Sequence, residues 1–283
     1  MVSKVAIVEL GPDCRQSFNQ AFSLIGNVND LNTADRPVVI KVGVFDHTAG
    51  HHATVSVVEA ITNCFDKAPQ IFLTESDNYR GTGSERLQIW KTLFTEQVKP
   101  FNLSQDTDTK RVKIADETIG LSHILFKPNV FVSTHILRVY EKGSILKNLL
   151  GLIPESKKVR FHKKLEATLL DLYEAIGGID LAVMDCTYLI SGVAPNSGKI
   201  KTDFLIVGRD AVAVEAIGAT LVGSDPEKMP IIQEAMKRDL GEGDLKKIEV
   251  LGMSVEALRE KISFLLKDLK KKRKTLRAKK KQS

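Results

Sequence analysis

The sequence predicts an α/β protein with a mixed, largely parallel sheet flanked by helices, a C-terminal helix and a basic tail. Apolar, β-branched runs alternate with helix-patterned segments in the first third of the chain and again after residue 164, the pattern of parallel βαβ units. Between them, three β-leaning segments follow one another without a helix, which makes the sheet mixed. A one-sided apolar stripe starting at Val255 runs into a block of lysine and arginine. The mean hydropathy of −0.08 and the 43% hydrophobic content are ordinary for a globular chain.

KVAIVEL (Lys4–Leu10) is a strand closed by Gly11-Pro12, and Asp13 can cap a helix running to about Ile25. PVVIKVGVF (Pro37–Phe45) is the second strand, followed by the loop DHTAGHH and a helix from Thr54 to Phe65. QIFLTES (Gln70–Ser76) is the third, followed by SDNYRGTGS and a helix around Glu85–Phe94. KRVKIAD, GLSHILF and NVFVSTHIL lie between Lys110 and Leu137. The alternation then resumes: a helix at Lys164–Ile176, the strand IDLAVMD (Ile179–Asp185), a glycine- and proline-bearing loop, the strand FLIVGR and a helix at Ala211–Leu221. No internal repeat is present. The expected organisation is one α/β domain over residues 1–252, then an amphipathic helix and Lys/Arg-rich tail over 253–283.

Charge is unevenly placed. Of the net +6, residues 267–283 hold ten Lys/Arg against Asp268, or +9, which leaves −3 on the rest. The high isoelectric point therefore describes the tail, which is expected to stay extended and can neutralise phosphates of RNA or DNA without sequence preference. No apolar run is long enough for a transmembrane span and no signal-peptide core is evident, so a cytoplasmic location is expected. Cys14, Cys64 and Cys186 are scattered and lack CxxC spacing, which argues against disulfides and against a cysteine-ligated iron–sulfur cluster.

In open α/β sheets ligands bind beyond the carboxyl ends of the strands. The polar residues following the strands are Asp46, His47, His51 and His52, then Glu75, Ser76 and Asp77, then His135, Asp185 and Asp210. These ends are expected to assemble one polar rim. His47, His51 and His52 form a candidate divalent or transition metal site, without the specificity of HExxH. SGVAPNSGK offers glycines and Lys199 but not the spacing of a phosphate-binding Walker loop, and RGTGSER is too short for a dinucleotide fingerprint.

GSILKNLLGLIPESKKVRFHKKL (Gly143–Leu165) places Lys147, Lys157, Lys158, Arg160, His162, Lys163 and Lys164 around Pro154. A solvated helix face is one reading of this basic break. The other is an anion site in an otherwise acidic body. The stretch, followed by DLYEAIGGIDLAVMD, GVAPNSGK and VGRDAVAVEAIGATLVG, resembles the domain of unknown function 362 family over roughly residues 4–225, with Lys41 of VVIKVGVF matching the family's early lysine. The sequence departs from that pattern at Ser133, Val42-Gly43 and Glu215, and lacks the ferredoxin-like module that many relatives carry.

The resemblance implies that Lys41, His135, Lys147, Asn148, His162, Asp185 and Asp210 form one constellation. The expected function is an enzyme, or enzyme-like binder, of a small anionic substrate. Lys41, Lys147, Asn148, Arg160 and Asp210 would bind it, and His135, His162 and Asp185 would act in catalysis. The rival reading is a nucleic-acid-associated protein acting through the tail.

Overall fold

The computed structural model describes residues 2–139, 142–192 and 198–282, with side chains through Leu269. In chain order the first elements are β1 (Ser3–Glu9), α1 (Cys14–Ile25), β2 (Val38–Val42), β3 (Val44–Asp46), β4 (His51–His52), α2 (Val55–Asn63), β5 (Ile71–Glu75), α3 (Gly83–Leu87) and β6 (Val98–Asn102). There follow β7 (Thr109–Ile114), β8 (Glu117–Ser122) and β9 (Val130–Val139). After 3-10 turns at Lys147–Leu152 and Val159–Lys164 come α4 (Leu165–Ala175), β10 (Leu181–Ser191), β11 (Gly198–Gly208), α5 (Ala211–Leu221), α6 (Pro230–Lys237), β12 (Ile248–Gly252) and α7 (Val255–Gln282).

Eight strands form the central sheet in the order β12-β1-β11-β10-β9-β2-β5-β6. All neighbours pair in parallel except β11, which is antiparallel to both β1 and β10. Seven strands therefore run one way and present one shared carboxyl edge. β3 and β4 pair as a small ribbon, and β7 and β8 as a hairpin.

Strand alternation divides the core into two layers. Ala6 and Val8 of β1 join the layer of Phe18 and Phe22 from α1 and Val57 and Ile61 from α2. Val5 and Ile7 join the opposite layer, built from α4, α5, α6 and the first turns of α7 through Leu258 and Ile262. Every residue of α5 is buried, which its small side chains (AVAVEAIGATL) permit.

The α/β class and the expected strand–helix order hold. Four elements lay outside the sequence expectation: β4, β6, α6 and β12. The apolar run before Pro154 is a 3-10 turn rather than an α-helix, and much of the expected loop after Asp185 is strand, with β10 running on to Ser191 and β11 beginning at Gly198. Residues 193–197 of that loop lie outside the described residues. The basic tail, expected to be extended, continues α7 as one helix to Gln282. Lysine and arginine are good helix formers, and no glycine or proline interrupts Val255–Gln282. Among the described residues, no helix is long and apolar enough to cross a membrane.

Candidate functional site

The constellation expected from the sequence separates into four places. The first is a buried clamp. Lys41, on β2, is 1% exposed, and its Nζ donates to Val42 O at 2.9 Å, Glu75 Oε2 at 3.0 Å and Asn148 Oδ1 at 3.1 Å. Three acceptors for three N–H groups leave nothing to offer a ligand. Asn148 Nδ2 lies within hydrogen-bonding distance of Lys41 O, Ser133 Oγ and Thr134 O. Arg86 donates to Glu75, to Ser76 O and to Val44 O. Burial lowers the Lys41 ammonium pKa, and the Glu75 carboxylate opposes that shift. The packing needs a glycine at position 151, because a Cβ there would lie 2.5 Å from Lys41 Cε. Lys158 closes the clamp from outside, donating to Ser76 Oγ at 2.5 Å and Asp77 O at 2.9 Å. Lys41 and Asn148, expected from the sequence to bind substrate, thus tie β2 and β9 to the Lys147–Leu152 turn.

Asp185 is a second tie. Its Oδ2 accepts from Thr54 N and Oγ1, and its Oδ1 from Thr187 N and Oγ1. Thr54 is the N-cap of α2, so the carboxylate holds that helix start against β10. Asp185, expected from the sequence to act in catalysis, is fully buried and accepts four hydrogen bonds from these two threonines.

Two expected members lie elsewhere. β11 runs against β10, pairing Leu205 with Asp185 and Gly208 with Ala182, so Asp210 sits beyond the opposite edge of the sheet. There it caps α5 through Val212 N and Ala213 N and accepts from Ser3 Oγ and Glu242 N. The sequence reading had assumed a parallel β11. Arg160 is half exposed and spends its guanidinium on Glu155 and Glu117, away from the site.

The three loop histidines do not converge. His51 and His52 are successive strand residues and turn to opposite sides. His51 stacks on Phe45, whereas His52 meets the edge of Trp90 and bonds Ala53 O through Nδ1. Asp46 is engaged by Arg80, Thr48 and Ala49 N. Among the described residues no group of three His, Cys, Asp or Glu could hold a metal ion, so the expected His47/His51/His52 centre is not formed.

The fourth place is a basic cluster at the carboxyl edge, where β9 ends. His135 and Arg138 come from β9, Lys142 follows that strand, Lys147 begins its 3-10 turn and His162 lies on the next. Their charges act on one another. Lys147 is lowered to about 7 by burial and by Lys142 and Arg138, with Glu166 opposing. His162 is lowered by burial, Lys147 and Lys142. His135 is pushed down to about 3 by burial, Arg138, Lys41 and Lys147, while its bond to Ile136 O opposes. That bond, from Nδ1 at 2.9 Å, leaves Nε2 as a neutral acceptor. The sequence expectation gave His135 proton exchange; burial and the neighbouring cations instead favour its neutral form.

Among the described residues, the Lys147 side chain makes no hydrogen bond or ion pair. Its position is fixed from behind by Glu215, a buried residue of α5 that accepts from Ser144 N at 2.8 Å and Leu146 N at 2.9 Å. Gly143 allows this approach: its φ is +83°, and a Cβ there would lie 2.9 Å from Glu215 Cδ. Sequence reading missed Arg138, Lys142, Arg86 and the anchoring role of Glu215. A charge inside the apolar run VFVSTHILRV and a carboxylate inside the apolar helix AVAVEAIGATL were the available signals.

Fold and site together define an open-sheet α/β protein with a basic cluster at the carboxyl edge of its parallel strands. Residues 38–220 match the family described as Domain of unknown function (DUF362), and the chain belongs to that family. No curated protein matches the chain.

Proposed function

We propose that the protein binds a small anion at the cluster of Arg138, Lys142, Lys147 and His162, with His135 Nε2 as a fixed acceptor beside it, as an enzyme or enzyme-like binder. The observation that supports this most is Lys147, a partly buried amine that lies among other cations and lacks a hydrogen bond or ion pair among the described residues. Holding like charges together is unfavourable, and an anion reverses the sign of that interaction. Lysine and arginine suit the binding role, and His162, the exposed histidine of the cluster, suits proton exchange with bulk solvent.

Calorimetric titration with inorganic phosphate tests the reading. The wild-type chain is expected to bind, with proton uptake near neutral pH as Lys147 regains its charge. Lys147→Ala and His162→Ala are each expected to weaken binding while leaving the unfolding midpoint within a few degrees. Normal binding by both variants would refute the assignment.

A further inference from the structure

The apolar row that docks α7 on the body runs through Leu258, Ile262, Leu265, Leu266 and Leu269, all buried or half-buried. Helical spacing carries the same row on through positions 272, 273, 276, 279 and 280. Those positions hold Lys272, Arg273, Leu276, Lys279 and Lys280, so the row turns basic once Leu269 is passed. Another side of the helix carries Lys270, Lys274, Arg277 and Lys281, at i, i+4, i+7 and i+11. The end of α7 thus has cationic positions on both sides and no apolar row with which to dock on its own body.

Charge density and shape select a partner. Residues 270–281 hold nine positive charges in about 18 Å of helix, one per ~2 Å. Duplex DNA carries one negative charge per ~1.7 Å of its axis. An α-helix, about 10–12 Å across, enters the major groove of B-form DNA, about 12 Å wide, where phosphates of both strands flank it. The major groove of A-form RNA is too deep and narrow for this. A membrane surface meets a helix from one side and retains it most strongly through an apolar face, and Leu276 is the one large apolar residue after Leu269. No aromatic residue follows Phe264, which leaves single strands without a stacking platform. We propose that residues 270–282 of α7 are a DNA-binding arm that lies in the major groove of a duplex, held by phosphates of both strands without sequence preference. This inference does not rest on the anion site.

The test uses full-length chains and a short, mixed-sequence DNA duplex, followed by fluorescence anisotropy over a range of salt concentrations. One variant carries Lys270→Gln, Lys274→Gln, Arg277→Gln and Lys281→Gln. The other carries Lys272→Gln, Arg273→Gln, Lys279→Gln and Lys280→Gln. Glutamine keeps the helix propensity, so only charge is removed from each side. Each variant is expected to bind about tenfold or more weakly at low salt, with the logarithmic salt slope flattened by about 3–4 for four lost phosphate contacts. Duplex RNA of the same sequence and vesicles containing phosphatidylserine should bind the wild-type chain more weakly than the DNA. A loss confined to one variant would mean a one-sided contact, and unchanged binding by both would place the DNA on the body. RNA or vesicles bound as tightly as DNA would remove the groove. Each of these results, like an absence of DNA binding at low salt, would overturn the proposal.

Discussion

Lys41 Nζ lies 3.0 Å from Glu75 Oε2, with both side chains almost fully buried, and Arg86 Nη2 reaches the same carboxylate oxygen at 3.2 Å. One carboxylate thus compensates two cations inside the sheet edge. Removing one partner of a buried pair leaves an uncompensated charge, which commonly costs about 3–5 kcal/mol. Glu75→Ala is therefore expected to destabilise the protein strongly in urea unfolding. Lys41→Met should cost less, because Arg86 still pairs with the carboxylate. If Lys41→Met instead kept full stability and lost phosphate binding, Lys41 would be a ligand-binding residue after all.

Lys147 gives the opposite sign. Its folded-state pKa, about 7, lies below the ordinary lysine value of 10.5, so between these values the unfolded chain binds more protons than the folded one. Stability contributed at this position therefore rises with pH across that window and is lowest below pH 7. The groups acting on it are Lys142 and Arg138, which lower its pKa, and Glu166, which raises it, while His135 and His162 feel its charge in turn. Discounted for partial exposure, Lys147→Met should stabilise the protein by about 1–2 kcal/mol at pH 6, with the gain fading toward pH 10. Thermal melts of both proteins at several pH values check this. A variant less stable at pH 6 would contradict the description of Lys147 as a cation without an ion pair among the described residues.

Asp185 is expected to behave as a tie. Asp185→Ala strands the half-buried donors of Thr54 and Thr187, so the loss should lie toward the lower end of the about 1–3 kcal/mol that an unsatisfied buried donor costs. Amide exchange should accelerate first in the opening turn of α2, which Asp185 holds through Thr54. Loss of phosphate binding with unchanged exchange in α2 would restore Asp185 to the site.

The sequence carried the sheet because strand composition and helix periodicity are local, and these are legible at Lys4–Leu10, Gln70–Ser76 and Ile179–Asp185. It did not carry the direction of β11, which depends on the partner that strand finds. That one reversal put Asp210 on the wrong edge. The basic break was visible as charge, but its division was not. Lys158 turns inward to Ser76, Arg160 outward to Glu155 and Glu117, and Lys147 keeps to the edge, because Glu215, far along the chain, fixes the turn that carries it. Residue type marked the region, and only long-range contacts sorted its members.

Glu215 therefore tests positioning apart from contact. Glu215→Ala removes the acceptor for Ser144 N and Leu146 N while altering no group of the basic cluster. Phosphate affinity should fall and Lys147 should titrate closer to its ordinary value, by NMR of the lysine side chain. Unchanged affinity and an unchanged Lys147 titration would show that the turn holds its place without this anchor.

The C-terminal helix can be divided by what each part touches. Leu258 and Ile262 are buried against the layer that includes α5, whereas Phe264 is 72% exposed, so docking is concentrated in the first turns. Residues 270–281 carry nine positive charges and no negative one. Like charges at helical i,i+4 spacing disfavour the helix by a few tenths of a kcal/mol per pair, and salt screens them. Helicity measured by circular dichroism should therefore rise with salt in the full chain and much less after truncation following Leu269. The truncated protein should keep its unfolding midpoint and its phosphate binding, because no residue of the basic cluster is removed. Any low-salt binding of double-stranded DNA by the full chain should disappear on truncation and weaken steeply as salt rises. DNA binding that survives truncation would place that surface on the body. A collapse of stability would mean that the helix docks beyond Leu269.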